Sequence, residues 1–320
     1  MVRTLDGTRT SGSASGIGIA VQGEGSIITG GRGLWATIPV YIRLGKPRVV
    51  GLLLLVAAIS YVVAAQGTVA VPTLASLMAA GTLAAGGAAL INNYLERDLD
   101  ALMNRTRARP LVAGTIAHPE RVLWVGIGSA VAGVVMGLAI SPLVALMLAC
   151  GALAYVLLYT VLSKRRTHWS VVIGGISGSC AALAGWFAGA SPSLAALLAA
   201  ALLFVWQSAH FWPLVLARKA DYERAAIPIL PAIVGPRRTG YYIFLASAAT
   251  VGVSIALGLT ADFGAPYLAG SAIVAILWLS VTGRLLVDTS QRAAWWAFKA
   301  SGIYLSLVFL LMLLDVVLVG

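Results

Sequence analysis

Long apolar stretches separated by short polar segments make up most of the chain from about residue 49 onward. Each stretch has the roughly 20 residues that a helix needs to cross the apolar core of a bilayer. Apolar and polar positions do not alternate along the stretches, as they would in the strands of an outer-membrane barrel. The pattern predicts an all-α polytopic membrane protein with about nine transmembrane helices. The predicted spans are 49–65, 72–94, 122–140, 143–162, 170–190, 194–216, 240–259, 266–286 and 298–319.

The first 36 residues do not share this pattern. They are rich in Gly, Ser and Thr and have no long apolar run, so no cleavable signal sequence is expected. We predict a disordered cytoplasmic tail at 1–36 and one transmembrane domain at 37–320. The first span would then act as the targeting signal.

Composition and charge support this topology. The chain is 60% hydrophobic and only 10% charged, whereas soluble domains average about 25% charged residues. All 22 Lys and Arg residues lie in or beside alternate gaps between the spans, and the remaining gaps and the C-terminus have none. By the positive-inside rule, the N-terminus is cytoplasmic and the C-terminus lies outside the plasma membrane.

The net charge of +11 is therefore interpreted as membrane orientation together with anion binding. The basic residues are scattered over several short loops, which argues against a nucleic-acid partner. Cys150 and Cys180 both fall inside predicted spans, and we interpret them as small packing residues.

An acidic segment follows the second span. Asn92, Glu96 and Asp100 are spaced so that they share one face of a helix, and Asp98 lies off that face unless the helix unwinds. Carboxylate and amide oxygens suit Mg²⁺, which binds through a few carboxylates and substrate phosphates. The alternative is a solvated loop with structural ion pairs.

Basic side chains accompany this segment. Arg105 and Arg109 follow it, and Lys164 and Arg165 follow Tyr159 in the next basic gap. Guanidinium groups match phosphate oxygens in pairs of hydrogen bonds, so these residues indicate a diphosphate site. For Lys164 and Arg165, simple anchoring at the membrane surface is the alternative interpretation.

A third segment combines aromatic rings, a histidine and further acids. Trp206, His210 and Trp212 lie in span six, where they could receive a flat aromatic acceptor or shield a carbocation. His210 could instead only form a hydrogen bond with a neighbouring carbonyl. Asp221 and Glu223 follow as a second acidic patch, which we expect to face the first across the bundle and to help hold a metal-bridged anion.

Taken in order, these segments resemble the UbiA superfamily of intramembrane prenyltransferases, and within it the haem O synthases. The likeness runs from about Tyr41 to Pro231 and more loosely to the C-terminus. The family's acidic pattern and its extension are matched by Asn92, Glu96, Asp98, Asp100, Met103, Arg105, Thr106, Arg109, Pro110 and Leu111. Later patterns are matched by Tyr159, Thr160, Lys164, Arg165, Thr167, Gly174, Gly175, Gly185, Trp186, His210, Phe211, Trp212, Asp221, Tyr222 and Pro228 to Pro231, and Lys46-Pro47-Arg48 resembles the usual start of the first span.

The resemblance implies a UbiA-like helical bundle and Mg²⁺-dependent transfer of farnesyl from farnesyl diphosphate to a vinyl group of haem b. The product would be haem O for terminal oxidases, with haem A synthase as a candidate partner in the lipid bilayer. The implied catalytic residues are Asn92, Glu96, Asp98, Asp100, Tyr159 and Asp221. The implied metal ligands are Asn92, Glu96, Asp98, Asp100, Asp221 and Glu223. The implied substrate contacts are Arg105, Arg109, Lys164, Arg165, His210, Trp206 and Trp212.

The chain departs from the family pattern at three places. Glu96 stands where Asp is usual, Ala181-Ala182 replaces a Pro-Pro pair, and Ser208-Ala209 replaces a pair that usually ends in Pro. The missing prolines would remove helix kinks near the pocket. A UbiA-type enzyme with another aromatic acceptor is therefore the alternative function.

Two further classes make different predictions. A secondary transporter would carry charges or helix breaks near the midplane of the membrane, whereas these acids cluster at the ends of spans. An assembly factor without catalysis would not need the acidic face, which is present.

Overall fold

A computed structural model describes residues 34–318 of the chain, and these residues form helices with no strand among them. The helices are α1 (Leu34–Leu44), α2 (Pro47–Ala64), α3 (Val71–Leu95), α4 (Arg97–Leu102), α5 (Pro119–Leu138), α6 (Pro142–Leu153), α7 (Ser170–Gly189), α8 (Leu194–Ala217), α9 (Lys219–Arg224), α10 (Leu230–Ile233), α11 (Gly235–Thr260), α12 (Ala265–Gly283) and α13 (Gln291–Leu318). A π-helix at Ala154–Ser163 continues α6, and a 3₁₀ turn at Arg284–Leu286 follows α12. The predicted tail lies outside the described residues up to residue 33, and residues 34–36 form the first turn of α1.

The prediction of a nine-span helical membrane protein is confirmed. Within residues 34–318, nine helical segments are long and apolar enough to cross a membrane. Two of them begin earlier than predicted, because α11 starts at Gly235 and α13 at Gln291. The hydropathy pattern excluded the charged residues at the N-terminal ends of these two helices. A helix can continue through charged residues as long as its backbone hydrogen bonds are formed.

Two groups of helices pack side by side. Helices α2, α7, α8, α11, α12 and α13 surround the largest buried cluster, in which the rings of Trp278 and Tyr304 stack at 4.1 Å. Helix α3 packs chiefly against α5, and α6 lies against α5 and α7. The ends of α3, the π-helix and α8 therefore meet at one end of the bundle, where the polar segments gather.

Glycines allow close approach between α3 and α5. A Cβ added to Gly133 would lie 2.5 Å from the backbone nitrogen of Ala84, and one added to Gly87 would lie equally close to the nitrogen of Ala130. Small residues at such crossings bring membrane helices into van der Waals contact along their backbones. This contact fixes the end of α3, and with it the acidic segment.

Asp315 is a buried acid at the opposite end of the bundle. Its carboxylate accepts hydrogen bonds from the backbone N–H groups of Gly264 (2.8 Å) and Tyr267 (3.3 Å), at the start of α12. A carboxylate at a helix N-terminus satisfies free N–H groups and is favoured by the helix dipole. This acid therefore has a structural role and lies at the opposite end from the acids of the two patches.

We expect Gly133→Ala to destabilise the bundle by about 1–3 kcal/mol, because the new methyl group would collide with the backbone of α3. Gly128→Ala on the same helix is the matched control, since its Cβ would meet nothing within 4 Å. That change should be neutral or stabilising by up to about 1 kcal/mol through helix propensity. Unfolding in detergent, followed by circular dichroism, would measure both; equal stability of the two variants would contradict the proposed contact.

Candidate functional site

The first acidic segment lies at the junction of α3 and α4. Asn92, Glu96 and Asp100 are all buried, at 1%, 3% and 4% exposure. The continuous helix expected from their spacing is interrupted, because α3 ends before Glu96 and α4 begins after it. The backbone hydrogen bond from Asp100 N to Glu96 O (2.8 Å) nevertheless keeps helical spacing across the break. The three side chains therefore still share one buried face.

Each buried carboxylate in this segment is paired with its own cation. Lys164 Nζ lies 2.6 Å from Glu96 Oε1, and Arg109 Nη1 lies 2.5 Å from Asp100 Oδ2. Buried charges are stable only when they are paired, and removing one partner typically costs about 3–5 kcal/mol. The ion pairs of the alternative interpretation are thus present, but they are buried rather than solvated.

Lys46 provides the cation for Asn92, although it was not among the predicted site residues. Its Nζ donates to Asn92 Oδ1 (2.5 Å) and to the hydroxyl of Tyr155 (2.9 Å). Burial lowers the pKa of Lys46 to about 8, and the positive charge of Arg109 acts in the same direction. Lys46 also adopts a left-handed backbone conformation, with φ 54°. Such strain in a residue other than glycine is concentrated at functional positions.

The π-helix forms the wall opposite this acidic segment. It places the rings of Tyr155 and Tyr159 in a stack, with centroids 5.9 Å apart, and Lys164 Nζ lies 5.6 Å from the centre of the Tyr159 ring. Thr160 on the same segment accepts a hydrogen bond from Asn92 Nδ2 at 2.9 Å. Single π-helical turns are frequent at functional sites.

The double glycine of the sequence pattern makes room for this wall. A Cβ on Gly174 would lie 3.1 Å from the ring of Tyr159, and a Cβ on Gly175 would lie 3.0 Å from the backbone oxygen of Phe204. Gly174 therefore lets α7 approach the tyrosine, and Gly175 lets it approach α8.

Asp98 lies outside the buried group. Arg165 donates two hydrogen bonds to its carboxylate, both 2.7 Å long, and the two side chains are 43% and 59% exposed for Arg165 and Asp98 respectively. These hydrogen bonds hold the pKa of Asp98 below its ordinary value. Because exposed pairs of this kind contribute little to stability, the pair orients Arg165 more than it stabilises the fold.

The second acidic patch is likewise paired. Asp221 is buried and bonded to Arg224, whereas Glu223 is exposed and lies 3.4 Å from Lys219. Within residues 34–318, no three Asp, Glu, His or Cys side chains come together as a metal site. The expected acids of the two patches therefore do not meet in a cage made by the protein alone.

Arg105 and Tyr222 lie between the two patches. Burial raises the pKa of Tyr222, next to Asp221, and the nearby positive charge of Arg105 acts in the opposite direction. An anion placed here would meet arginine on its way from one patch to the other. Mg²⁺ that is bound mainly to substrate phosphates needs only one or two carboxylates from the protein. The buried carboxylates of the two acidic patches fit that requirement.

The aromatic residues of the third segment separate into two places. His210 Nδ1 is 2.7 Å from Ser301 Oγ, and its ring stacks on Trp206 at 4.3 Å and lies 4.6 Å from Phe298. The polar partner of His210 is therefore a hydroxyl on α13, where a neighbouring carbonyl had been the simpler expectation. Trp212 instead lines a small cavity, together with Tyr159, Lys164 and Tyr222.

Comparison with known proteins gives one consistent result. A family model described as the UbiA prenyltransferase family matches residues 53–312. The protoheme IX farnesyltransferase of Sulfurisphaera tokodaii is 37% identical over 281 residues, covering 86% of this chain and 92% of that protein. The protoheme IX farnesyltransferase of Desulforudis audaxviator is 36% identical, covering 88% of this chain and 89% of that protein.

Solved structures share the fold. A structure of digeranylgeranylglyceryl phosphate synthase has a TM-score of 0.76 at 17% identity, covering 88% of this chain and 99% of that one. A UbiA homolog from Archaeoglobus fulgidus bound to GPP and Mg²⁺ has a TM-score of 0.63 at 16% identity, covering 85% and 99%. At these identities the likeness concerns the arrangement of helices.

We expect Thr160→Val to destabilise the protein by about 1–3 kcal/mol, because the buried amide of Asn92 would lose its hydrogen-bond acceptor. Thr160→Ser keeps the hydroxyl and is the matched control. Thermal unfolding in detergent would compare the two variants. If valine and serine gave the same melting temperature, the hydrogen bond from Asn92 would have no stabilising role.

Proposed function

The chain belongs to the UbiA prenyltransferase family, and we propose that it transfers a farnesyl group from farnesyl diphosphate to a vinyl group of haem b, giving haem O. The relatives named protoheme IX farnesyltransferase, similar over nearly their whole length, support this donor and acceptor. The observation that carries the proposal is the buried cluster in which Asn92, Glu96 and Asp100 each face a separate cation.

This cluster suits an exchange of partners. A bound diphosphate would accept hydrogen bonds from Lys164 and Arg109, and the released oxygens of Glu96 and Asp100 would turn to Mg²⁺. Both buried carboxylates then keep a partner of opposite sign before and after binding, as a low-dielectric site requires. Two clusters of acids without cations could not satisfy this condition when empty.

We assign the first metal position to Asn92, Glu96 and Asp100, and the second to Asp221. When bound, Mg²⁺ would neutralise the charge that develops on the leaving diphosphate as the allylic C–O bond breaks. Asp98 and Glu223 are exposed. We therefore propose that neither binds the metal directly and that Asp98 orients Arg165.

The cations and rings around the cluster then have distinct tasks. Arg105, Arg165 and Lys46 add hydrogen-bond donors for the diphosphate, beside Lys164 and Arg109. The stacked rings of Tyr155 and Tyr159 can stabilise an allylic cation through their faces. The surrounding apolar helices keep water from the cation until the acceptor attacks. Attack by the vinyl carbon and addition of water, with loss of one proton, give the hydroxyethylfarnesyl group.

For the acceptor we propose the aromatic surface of Trp212, which lies beside Tyr159 and Lys164. His210 and Trp206 pack against α13, and their bonds to Ser301 leave them a positioning role for the acceptor helix α8. The acids lie at the ends of helices rather than at the midplane, which argues against a transporter. The same end carries the basic residues, so we place it in the cytoplasm, with the C-terminus outside the plasma membrane. We propose haem A synthase as the partner that takes up the product.

The test of the donor and acceptor is mass spectrometry of the product. Purified full-length protein in detergent, given haem b, farnesyl diphosphate and Mg²⁺, should add a hydroxyethylfarnesyl group to haem. Chelation of the metal should abolish the product. Haem left unchanged, with metal-dependent release of diphosphate in the presence of another aromatic acceptor, would favour the alternative function that the alanines at 181 and 182 leave open.

The test of the site compares two acids two residues apart. Asp100→Asn should lower kcat by about 100-fold or more, because it removes a charged ligand of the metal that would stabilise the leaving diphosphate. Asp98→Asn should keep kcat within about tenfold, since its carboxylate is exposed and pairs only with Arg165. Equal losses in the two variants, both still folded, would overturn the assignment of the buried group as the metal site.

A further inference from the structure

A second cavity lies beside the acidic cluster, on the side of α1. Its volume is about 220 Å³, room for about seven water molecules at roughly 30 Å³ each. A group the size of a diphosphate fits this volume. Its polar lining residues are Arg43, Lys46, Asn93, Arg105 and Arg109.

The charge of this cavity has one sign. Four cations line it, and none of the lining residues is acidic. Among residues 34–318, Arg109 pairs with Asp100, whereas Arg43 and Arg105 form no ion pair with a carboxylate. Like charges gathered around one space repel each other and attract a compact anion. Arginine side chains favour phosphate in particular, because their planar forks match its oxygens.

The walls of the cavity are held in place. Asn93 Nδ2 donates to the backbone oxygens of Leu44 (2.8 Å) and Ala89 (2.9 Å), which ties the end of α1 to α3. Thr106 Oγ1 donates to the backbone oxygen of Asp100 at 3.0 Å, which fixes the turn that carries Arg105 and Arg109. A site whose backbone is already ordered loses less entropy when it binds a ligand.

Two residues connect this cavity to the acidic cluster. Lys46 lines the cavity and donates to Asn92, and Arg109 lines the cavity and pairs with Asp100. An anion can therefore pass from the cluster to the cavity without losing contact with cations. Arg43 lies on the far side, away from the acids, and is exposed.

We propose that this cavity, which we term the arginine cavity, is a second phosphate-binding position. It shares Lys46, Arg105 and Arg109 with the donor site and adds Arg43. It takes either the diphosphate that leaves the acidic cluster or the phosphate of an anionic lipid headgroup at the membrane surface. The first source rests on the proposed function, whereas binding of a phosphate group in the cavity does not.

The test is calorimetric titration of inorganic diphosphate into the full chain, purified in a phosphate-free detergent, with the metal chelated. We expect Arg43→Gln to weaken binding about tenfold or more, since one charged hydrogen-bonding partner is lost. Arg43→Lys should retain most of the affinity. Arg166→Gln is the matched control, because that arginine is exposed on a neighbouring loop and does not line the cavity.

A further variant separates the cavity from the acidic cluster. Lys164→Gln should change metal-free binding by less than about threefold if diphosphate is held in the cavity, because Lys164 does not line it. The proposal is overturned if wild type does not bind diphosphate, if Arg43→Gln binds like wild type, or if Lys164→Gln weakens binding as much as Arg43→Gln does.

The two sources are distinguished in nanodiscs. If a lipid phosphate occupies the cavity, phosphatidylglycerol should compete with diphosphate, and native mass spectrometry should find this lipid retained by wild type but not by Arg43→Gln. If the leaving diphosphate is the ligand, phosphatidylglycerol should not compete, and Arg43→Gln should weaken product inhibition by diphosphate. Because the titration needs no donor, haem or metal, a failed farnesylation assay alongside intact binding would reject the proposed function alone.

Discussion

The need to pair every buried charge governs the active end of this bundle. Two carboxylates and an amide oxygen lie almost fully buried at the ends of apolar helices, where an unpaired charge would be too costly to keep. Lys164 and Arg109 meet this need for the two carboxylates, and Lys46 donates a hydrogen bond to the amide oxygen. The break in the helix at Glu96 and the π-helical turn opposite it both serve to bring these partners into reach.

The same requirement explains why an acidic site can be built without a metal. A cage of carboxylates alone would repel itself when empty, and the described part of the chain contains no such cage. Cations that hold the acids in the resting state are also the groups that a diphosphate needs. The ion pairs thus support the structure of the empty site, and their cations supply the hydrogen-bond donors for a bound diphosphate. This double role is consistent with chemistry that consists mainly of binding and charge stabilisation.

The sequence predicted what is periodic or local and could not predict what is long-range. The nine spans followed from hydropathy, and the shared face of Asn92, Glu96 and Asp100 followed from their spacing. The partner of each acid did not, because Lys164 is 68 residues from Glu96 and Lys46 is 46 residues from Asn92. Lys46 entered the sequence analysis only as one of the basic residues before the first span, which indicate the orientation of the chain in the membrane. His210 was notable because a histidine within an apolar span is unusual. Its hydrogen-bond partner, Ser301, is 91 residues away and could not be predicted from the sequence.

The separation in sequence between Glu96 and Lys164 also imposes an order on how the protein is made. Asp100 can meet Arg109 within the same loop as soon as that loop leaves the ribosome, but Glu96 has no such neighbour. Until two more spans have entered the membrane, its carboxylate must remain in water, because burial without Lys164 would be too costly. The end of α3 can therefore take its final position only after the fourth span is in place, so a nascent chain that stalls before residue 164 would expose this end to the cell's proteases.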